Sequence, residues 1–204
     1  MQRTWKDIAH TIGQFARDPG SVGTVIPSSR FLARRMMNAA DISQAKVVLE
    51  IGAGTGAITR ELLKHANTNA KIIIVDNNIA SIEILRARLA QAKQVTLVHG
   101  NALNIREILN EHSIEKVDSL VSSLPYTSLG SELTKSILQR ASQVLSPQGH
   151  FVAFQYTPVI KKTIELYFTI ERTEFEFRNF PPAIVYSCVP KTHSECNETL
   201  KISA

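Results

Sequence analysis

The segment VVLEIGAGTGAIT, residues 47–59, decides how this chain folds. It begins as an uninterrupted apolar run, passes glycines at positions 52, 54 and 56, and continues with a pattern typical of a helix. Glycines let the backbone turn tightly and approach a ligand closely, because they carry no Cβ. A helix that starts directly after such a turn presents free N–H groups in its first turn. The segment therefore predicts a strand, a ligand-binding turn and a helix in succession.

Apolar runs and helical patterns alternate after this segment. They predict strands at 46–51, 71–75, 95–99, 119–122 and 151–155, and helices at 58–65, 79–91 and 131–145 with a short turn near 102–109. Runs such as KIIIV have no polar face, which suits a parallel sheet that is covered on both sides. The segment TEFEFRNF alternates with period two, and with residues 183–189 it predicts an antiparallel edge. We expect one α/β domain with a mostly parallel sheet.

Composition and charge limit the classes of function. The 204 residues are 44% hydrophobic and 20% charged with a net charge of +5, which suits one domain with a buried core and suggests an anionic partner. Two cysteines, Cys188 and Cys196, make no disulfide framework, and the scattered histidines form no zinc motif, so no metal is expected. The first residues lack the apolar core of a signal peptide, and we expect a cytoplasmic protein.

The first 40 residues differ from the rest and carry most of the net charge. We assign 1–40 to a helical extension, 41–190 to the α/β domain and 191–204 to a polar tail. An apolar stripe at helical spacing predicts a helix that either packs on the core or lies at a membrane surface, where its cations would meet anionic lipid. The stripe consists of Trp5, Ile8, Ala9, Ile12, Phe15 and Ala16. Ser28 and Ser29 offer an N-cap to a second helix through about Met37.

The segment Glu50-Ile51-Gly52-Ala53-Gly54-Thr55-Gly56 resembles motif I, E/D-x-G-x-G-x-G, of the class I S-adenosylmethionine-dependent methyltransferases. An acid at the position of Glu50 would repel a pyrophosphate but can pair with the ammonium group of an amino acid. The resemblance implies a Rossmann-like, seven-stranded methyltransferase sheet and S-adenosylmethionine as cofactor. It also implies a set of cofactor-binding residues: Ser28, Ser29, Glu50, Gly52, Gly54, Thr55, Gly56, Asp76, Asn77, Asn101, Ala102 and Ser123.

Two polar residues at strand ends support this resemblance. Asp76 ends the run KIIIVD, where a carboxylate can accept hydrogen bonds from both ribose hydroxyls, although it can equally cap the next helix. Asn101 follows VTLVHG, where the family commonly has an aspartate that holds the adenine amino group. An amide oxygen can accept the same hydrogen bond, so Asn101 is the expected adenine contact despite the departure.

The segment Ser123-Leu124-Pro125-Tyr126 leaves the methyl acceptor open. The N-L-P-Y form of this motif occurs in ribosomal RNA adenine dimethyltransferases, but here a serine replaces the asparagine. A second resemblance, to the soluble, peripheral phospholipid N-methyltransferases of bacteria, covers more of the chain. It rests on GSVGTVIPSSRFLARRM (20–36), SSLPYTSL (122–129), FQYTPV (154–159) and RNFPPAIVY (178–186).

The second resemblance implies stepwise methylation of phosphatidylethanolamine toward phosphatidylcholine. The expected partner is an anionic phospholipid surface, with the protein peripheral on the inner face of the cytoplasmic membrane and no obligate protein partner. Methylation of RNA adenine at N6 is the alternative, and an inactive, donor-binding membrane adaptor is the third interpretation. Incubation with labelled donor and either liposomes or RNA would separate the three.

Methyl transfer needs positioning and exclusion of water more than covalent catalysis. A lipid primary amine with a pKa of about 10 must lose a proton before it attacks. Tyr126 and Tyr156 are the candidates that orient the amine or relay this proton, although either can simply be a packing residue. The expected substrate-binding residues are Leu124, Pro125, Tyr126, Arg178 and Tyr186, with Arg178 either on the lipid phosphate or in solvent.

Overall fold

A computed structural model describes residues 29–192 and 194–196 of the chain. The expected helix over the Trp5 stripe, the donor-binding candidate Ser28 and most of the polar tail lie outside the described residues. The first described helix, α1 (Arg30–Ala39), begins at Ser29, whose side chain accepts a hydrogen bond from the backbone N–H of Leu32. Ser29 is therefore the N-cap, as the sequence predicts.

Strands and helices alternate after α1, as the apolar runs predict. The strands are β1 (Val47–Ile51), β2 (Lys71–Asp76), β3 (Val95–His99), β4 (Val117–Ser122), β5 (Leu145–Gln155), β6 (Phe168–Glu176) and β7 (Ala183–Pro190). The helices are α2 (Ala57–His65), α3 (Ile79–Arg88), α4 (Ile105–Glu111), α5 (Ser131–Val144) and α6 (Lys161–Ile164). Short 3-10 turns over Ala102–Asn104 and Pro158–Ile160 precede α4 and α6.

The strands form one seven-stranded sheet in the order β3-β2-β1-β4-β5-β7-β6. Strands β1 to β5 pair in parallel, whereas β7 runs antiparallel to both β5 and β6. The predicted Rossmann-like sheet, mostly parallel with an antiparallel edge, is therefore confirmed.

Helices cover both faces of the sheet and create two apolar layers. Helices α4, α5 and α6 pack on one face around side chains such as Leu120 and Phe151, both fully buried. Helices α1, α2 and α3 pack on the other face around Val48 and Ile72. Burial on both faces explains why the central strands read as continuous apolar runs.

Three elements differ clearly from their predicted bounds. Strand β6 covers Phe168–Glu176, whereas the alternating segment TEFEFRNF covers residues 173–180. Helix α3 ends at Arg88 instead of residue 91, because the N–H of Leu89 closes the last turn and that of Ala92 then bonds the carbonyl of Leu89. Strand β5 begins at Leu145 instead of residue 151, because helix α5 runs straight into it and Leu145 already pairs with Val117. The polar residues directly after Leu145 also lie within this strand.

Candidate active site

The glycine loop lies where the strand order reverses. Strand β1 is flanked by β2 on one side and by β4 on the other. The connection after β1 leads to one side of this strand and the connection after β3 leads to its other side. Ligands of open α/β sheets bind at the carboxyl ends of the strands at such a point. The loop between β1 and α2 is therefore the expected ligand site of this fold.

Gly54 gives the loop an open face. Its φ of +53° is a conformation that glycine adopts readily, and a Cβ added there would meet no atom within 4 Å. The backbone N–H of Gly54 donates to Asp76 Oδ2 over 2.7 Å, which ties the loop to the end of β2. The loop is thus fixed to β2 through its backbone, while the side of Gly54 on which a Cβ would lie is open to a ligand.

Glu50 is a fully buried carboxyl group with one oxygen unsatisfied. Its Oε1 accepts a hydrogen bond from the Thr59 hydroxyl at 3.0 Å, while Oε2 is buried and has no partner. Burial raises the pKa of the Glu50 carboxyl to about 8, and the negative charge of Asp76 adds to the rise while the Thr59 hydrogen bond opposes it. A cationic group brought to Oε2 would relieve this penalty. The ammonium group of an amino-acid ligand therefore fits the site.

Asp76 holds the loop and does not cap the following helix. Its Oδ1 accepts from the N–H of Asn78, and Asn78 is itself the N-cap of α3, with its side chain accepting from Ala80 and Ser81. The helix-cap alternative for Asp76 is therefore excluded. Each Asp76 oxygen accepts one backbone hydrogen bond, and a carboxylate oxygen can accept a second from a ribose hydroxyl.

The other expected donor contacts follow the ends of β2 and β3. Asn77 is exposed, and its backbone carbonyl lies 3.1 Å from the His99 ring nitrogen Nε2. Asn101 is also exposed, with its side-chain oxygen accepting from the N–H of Leu103 over 2.9 Å, and Ala102 begins the 3-10 turn beside it. Thr55 is exposed at the tip of the glycine loop. These residues line the same edge of the sheet as Gly54.

Leu124 joins the glycine loop to the expected acceptor motif. An added Cβ on Gly52 would come within 2.7 Å of the Leu124 Cδ2 atom, so the two residues are in close contact. The Leu124 carbonyl accepts a hydrogen bond from Gln155 Nε2 at 3.0 Å. Ser123, one residue earlier, has a buried hydroxyl with no partner, while Pro125 is exposed. The glycine loop and the expected acceptor motif are therefore in direct contact.

Tyr126 and Tyr186 are buried in the apolar layer beneath α4 and α5. Tyr126 is 2% exposed, and its hydroxyl lies 2.8 Å from the Ser122 hydroxyl. Burial raises the pKa of both tyrosines above the usual value for a phenol. Both hydroxyls are therefore neutral at pH 7, and the Tyr126 ring has no exposed face in this structure.

Tyr156 lies closer to the site surface, and an unforeseen residue holds it. Burial raises the pKa of Tyr156, and a hydrogen bond with the Asn179 side chain opposes that rise. Asn179 also accepts from the N–H of Ser29 over 2.8 Å and donates to the Pro181 carbonyl over 2.7 Å. Asn179 is not among the predicted site residues, although it lies in the segment RNFPPAIVY. Gln155 was missed in the same way, within FQYTPV.

Arg178 has a partner in the structure. Its Nε and Nη2 atoms donate to the two carboxylate oxygens of Glu176 at 2.9 and 3.0 Å, and its guanidinium lies over the Phe31 ring. The Arg178 side chain is nevertheless 59% exposed. An Nη1 group is left for an anion, so the phosphate role stays a prediction.

The described residues contain no group of three or more His, Cys, Asp or Glu side chains that could hold a metal ion. The same part of the chain has no helix that is both long and apolar enough to cross a bilayer.

Comparison with known proteins identifies the family. Residues 42–190 match the family described as a methyltransferase domain. The chain belongs to this methyltransferase family. It is 31% identical over 184 residues to an ornithine lipid N-methyltransferase of Singulisphaera acidiphila, covering 90% of this chain and 96% of that protein. It is 32% identical over 126 residues to a probable ribosomal RNA small subunit methyltransferase A of Methanosarcina mazei, covering 61% of this chain and 42% of that protein.

Solved structures confirm the methyltransferase fold. The N-methyltransferase NodS of Bradyrhizobium japonicum, in complex with S-adenosylhomocysteine, superposes with a TM-score of 0.63 at 13% identity, covering 91% of this chain and 99% of that one. A didemethyltoxoflavin N1-methyltransferase of Burkholderia thailandensis gives 0.65 at 15% identity, covering 94% and 92%. Family and fold together support S-adenosylmethionine as the cofactor of this methyltransferase, as predicted.

Proposed function

We propose that this methyltransferase methylates the primary amine of a membrane lipid, with phosphatidylethanolamine as acceptor and phosphatidylcholine as the end product. One observation carries the proposal: the similarity to a lipid N-methyltransferase spans nearly the full length of both chains. The similarity to a ribosomal RNA enzyme covers less than half of that enzyme. Ser123, where the RNA enzymes carry asparagine, supports the same choice.

On this proposal the glycine loop and Glu50 bind the amino-acid end of S-adenosylmethionine, which supplies an electrophilic methyl group. The unpaired Glu50 Oε2 accepts the ammonium group, and Asp76 and Asn101 bind the ribose and the adenine. Ser28 and Ser29 belong to the segment that covers the donor. Thr55, Gly56, Asn77 and Ala102 supply the surrounding loop surface.

The acceptor amine would enter beside Ser123 and Tyr156. The unpartnered Ser123 hydroxyl can accept a hydrogen bond from the amine, and this directs the nitrogen lone pair toward the methyl group. The neutral Tyr156 hydroxyl can accept a hydrogen bond from the lipid ammonium group. As the ammonium proton moves to the Tyr156 oxygen, the hydroxyl's own proton moves to water, which leaves a neutral amine. Tyr126 and Tyr186 support the pocket wall from beneath, and Arg178 offers its remaining N–H groups to the lipid phosphate.

Labelled methyl donor tests the acceptor class. The protein is incubated with the donor and with vesicles containing phosphatidylethanolamine, vesicles containing ornithine lipid, or ribosomal RNA. We expect label in phosphatidylethanolamine, and a Gly54→Leu variant, with a side chain in the donor cradle, gives the background. Label only in ornithine lipid would replace the acceptor within the lipid class. Label only in RNA would overturn the lipid assignment, and donor binding without label in any acceptor would favour the adaptor.

A further inference from the structure

Exposed apolar side chains gather at the edge of the sheet that carries the glycine loop. Gln155, at the end of β5, pairs with Ile184 of β7, and Ile184 pairs with Phe175 of β6. The turn after β5 and the loop between β6 and β7 therefore lie at this edge. The four most exposed apolar side chains here define what we call the aromatic edge patch: Val159 (76% exposed), Phe175 (53%), Phe177 (75%) and Phe180 (50%).

The aromatic rings of this patch are not part of the core. Phe175 and Phe177 stack on each other with ring centroids 6.0 Å apart and an interplanar angle of 15°. This pairing still leaves more than half of each ring exposed to water. Several exposed apolar side chains at one edge of a domain are typical of a site that contacts a protein or a membrane.

Cations outnumber carboxylates beside the aromatic edge patch. Lys161 and Lys162 are exposed directly after the turn that carries Val159, and Arg178 lies between the exposed residues Phe177 and Phe180. Two carboxylates of this region offset part of that charge, since Glu165 lies 3.8 Å from Lys161 and Glu176 is bonded to Arg178.

Aromatic rings with cations beside them suit the boundary between lipid headgroups and acyl chains, where the rings insert and the cations meet anionic phosphates. The third carboxylate of this region, Glu174, is likewise paired, with Arg35 and Arg172. The region thus holds more cations (Lys161, Lys162, Arg178, Arg35 and Arg172) than carboxylates (Glu165, Glu174 and Glu176), and this positive excess beside exposed rings suits an anionic membrane as the occupant.

We propose that the aromatic edge patch inserts into an anionic membrane and brings the headgroups to the edge that holds the glycine loop. Asn179 lies in the loop between β6 and β7 and accepts a hydrogen bond from the N–H of Ser29, so it links this docking surface to an expected donor-binding residue. The proposal rests on the proposed lipid acceptor, but it assigns membrane contact to a surface distinct from the Trp5 stripe. The acceptor amine would then reach the site without leaving the bilayer surface.

Vesicle sedimentation tests the docking surface. A full-length variant with Phe175→Ser, Phe177→Ser and Phe180→Ser should bind vesicles of phosphatidylglycerol and phosphatidylethanolamine about tenfold more weakly than the parent, because three apolar contacts are lost. Ile84→Ser, which removes an exposed apolar side chain from α3, should leave vesicle binding unchanged. Undiminished vesicle binding by the triple variant would overturn the proposal. The same result is expected if residues 1–28 or a second copy of the chain cover the patch, so that outcome also counts against it.

Two further measurements separate docking from catalysis. The triple variant should still methylate a short-chain phosphatidylethanolamine that is dispersed as monomers, whereas failure of the parent with this acceptor would count against the proposed function alone. In a Trp5→Phe background, Phe177→Trp should give blue-shifted emission that brominated lipid quenches in anionic vesicles. Emission that does not change with such vesicles would contradict insertion, whatever the activity.

Discussion

Binding of the donor would change the protonation state of the Glu50 carboxyl. Its carboxyl is fully buried with Oε2 unpaired, and its pKa is raised to about 8. An ammonium group at Oε2 favours the ionised form, so donor binding and deprotonation of Glu50 are linked. Without the donor, the Glu50 carboxyl is therefore mostly protonated at neutral pH, and donor binding releases this proton.

Glu50→Gln should weaken donor binding and remove its pH dependence. In the parent, the dissociation constant of S-adenosylhomocysteine should rise by up to about tenfold per pH unit as the pH falls from 7.5 to 6, because Glu50 becomes protonated. Calorimetric titration measures both proteins, with Glu61→Gln, a change on α2 away from the loop, as the control. A parent affinity that does not change over this range would contradict the assignment.

The same substitution should change stability with the opposite sign. The folded protein binds the Glu50 proton more tightly than the unfolded chain does, so this contribution is complete below about pH 4.5 and is lost as pH rises through about 8. Without donor, Glu50→Gln should therefore have a higher melting temperature than the parent at pH 8 and a smaller difference at pH 5. Thermal unfolding at the two values measures this, and a constant difference would refute it.

Two glycines of one loop should respond differently to alanine. A Cβ at Gly54 meets open space, whereas one at Gly56 would lie 2.6 Å from Leu85 Cδ2. Gly54→Ala should therefore weaken donor binding with a stability loss on the order of 1 kcal/mol from its positive φ. Gly56→Ala should lose more stability, because the Leu85 side chain must also move. Equal melting temperatures for the two variants, together with normal donor affinity for Gly54→Ala, would contradict the loop assignment.

Helix α1 is held at its carboxyl end by residues from two strands and at its start by a residue from the loop between β6 and β7. The Ser119 and Ser187 hydroxyls, both buried, donate to the carbonyls of Ala40 and Ala39 at its carboxyl end. Asn179 accepts from the N–H of Ser29 at its start. Helix α1 and its N-cap Ser29 are therefore anchored to the loop between β6 and β7.

Asn179→Ala should loosen this start of α1. Loss of the hydrogen bonds to Ser29 and Pro181 should lower the free energy of unfolding by about 1–2 kcal/mol. We also expect a raised Michaelis constant for the donor, because the covering segment loses its anchor. Denaturant titration and steady-state kinetics measure the two effects, with Asn38→Ala, a change on the exposed face of α1, as the matched control. Identical behaviour of the two variants would argue against the anchoring role.

At the scale of the whole molecule, an ion-pair network joins α1 to the sheet edge. Glu176 is 1% exposed and accepts hydrogen bonds from Arg178 and Arg35. Mainly through the Arg178 hydrogen bond, and despite desolvation, the pKa of Glu176 is lowered to about 2. A depressed carboxyl pKa adds stability that is present above about pH 4.5 and is lost as pH falls through about 2.

Glu176→Gln should destabilise the protein at pH 7 by on the order of 2 kcal/mol, because two charged donors lose their acceptor. The difference from the parent should shrink as the pH falls below about 4.5 toward 2. Urea unfolding across this range measures it. Glu132→Gln, at a carboxylate that is 88% exposed and paired with Lys135, should be nearly neutral at every pH. A difference in the free energy of unfolding between Glu176→Gln and the parent that does not change with pH would contradict the lowered pKa of Glu176.

The sequence by itself determined the sheet and the glycine turn after β1, and its resemblance to motif I implied the cofactor. Apolar runs without a polar face and a glycine-rich turn between strand and helix are local patterns, so they can be read before any long-range contact is known. The roles of Ser29 as N-cap and of residues 47–59 as strand, turn and helix follow from the same local chemistry.

Only the tertiary structure decided which residues share the edge that holds the site. The link from Ser29 through Asn179 to Tyr156 and the position of Phe177 near the end of β5 both depend on β7 lying between β5 and β6. That pairing joins segments far apart in the chain, and no local pattern encodes it. The same pairing leaves aromatic rings exposed at the edge of the active site, which the alternation of TEFEFRNF alone does not reveal.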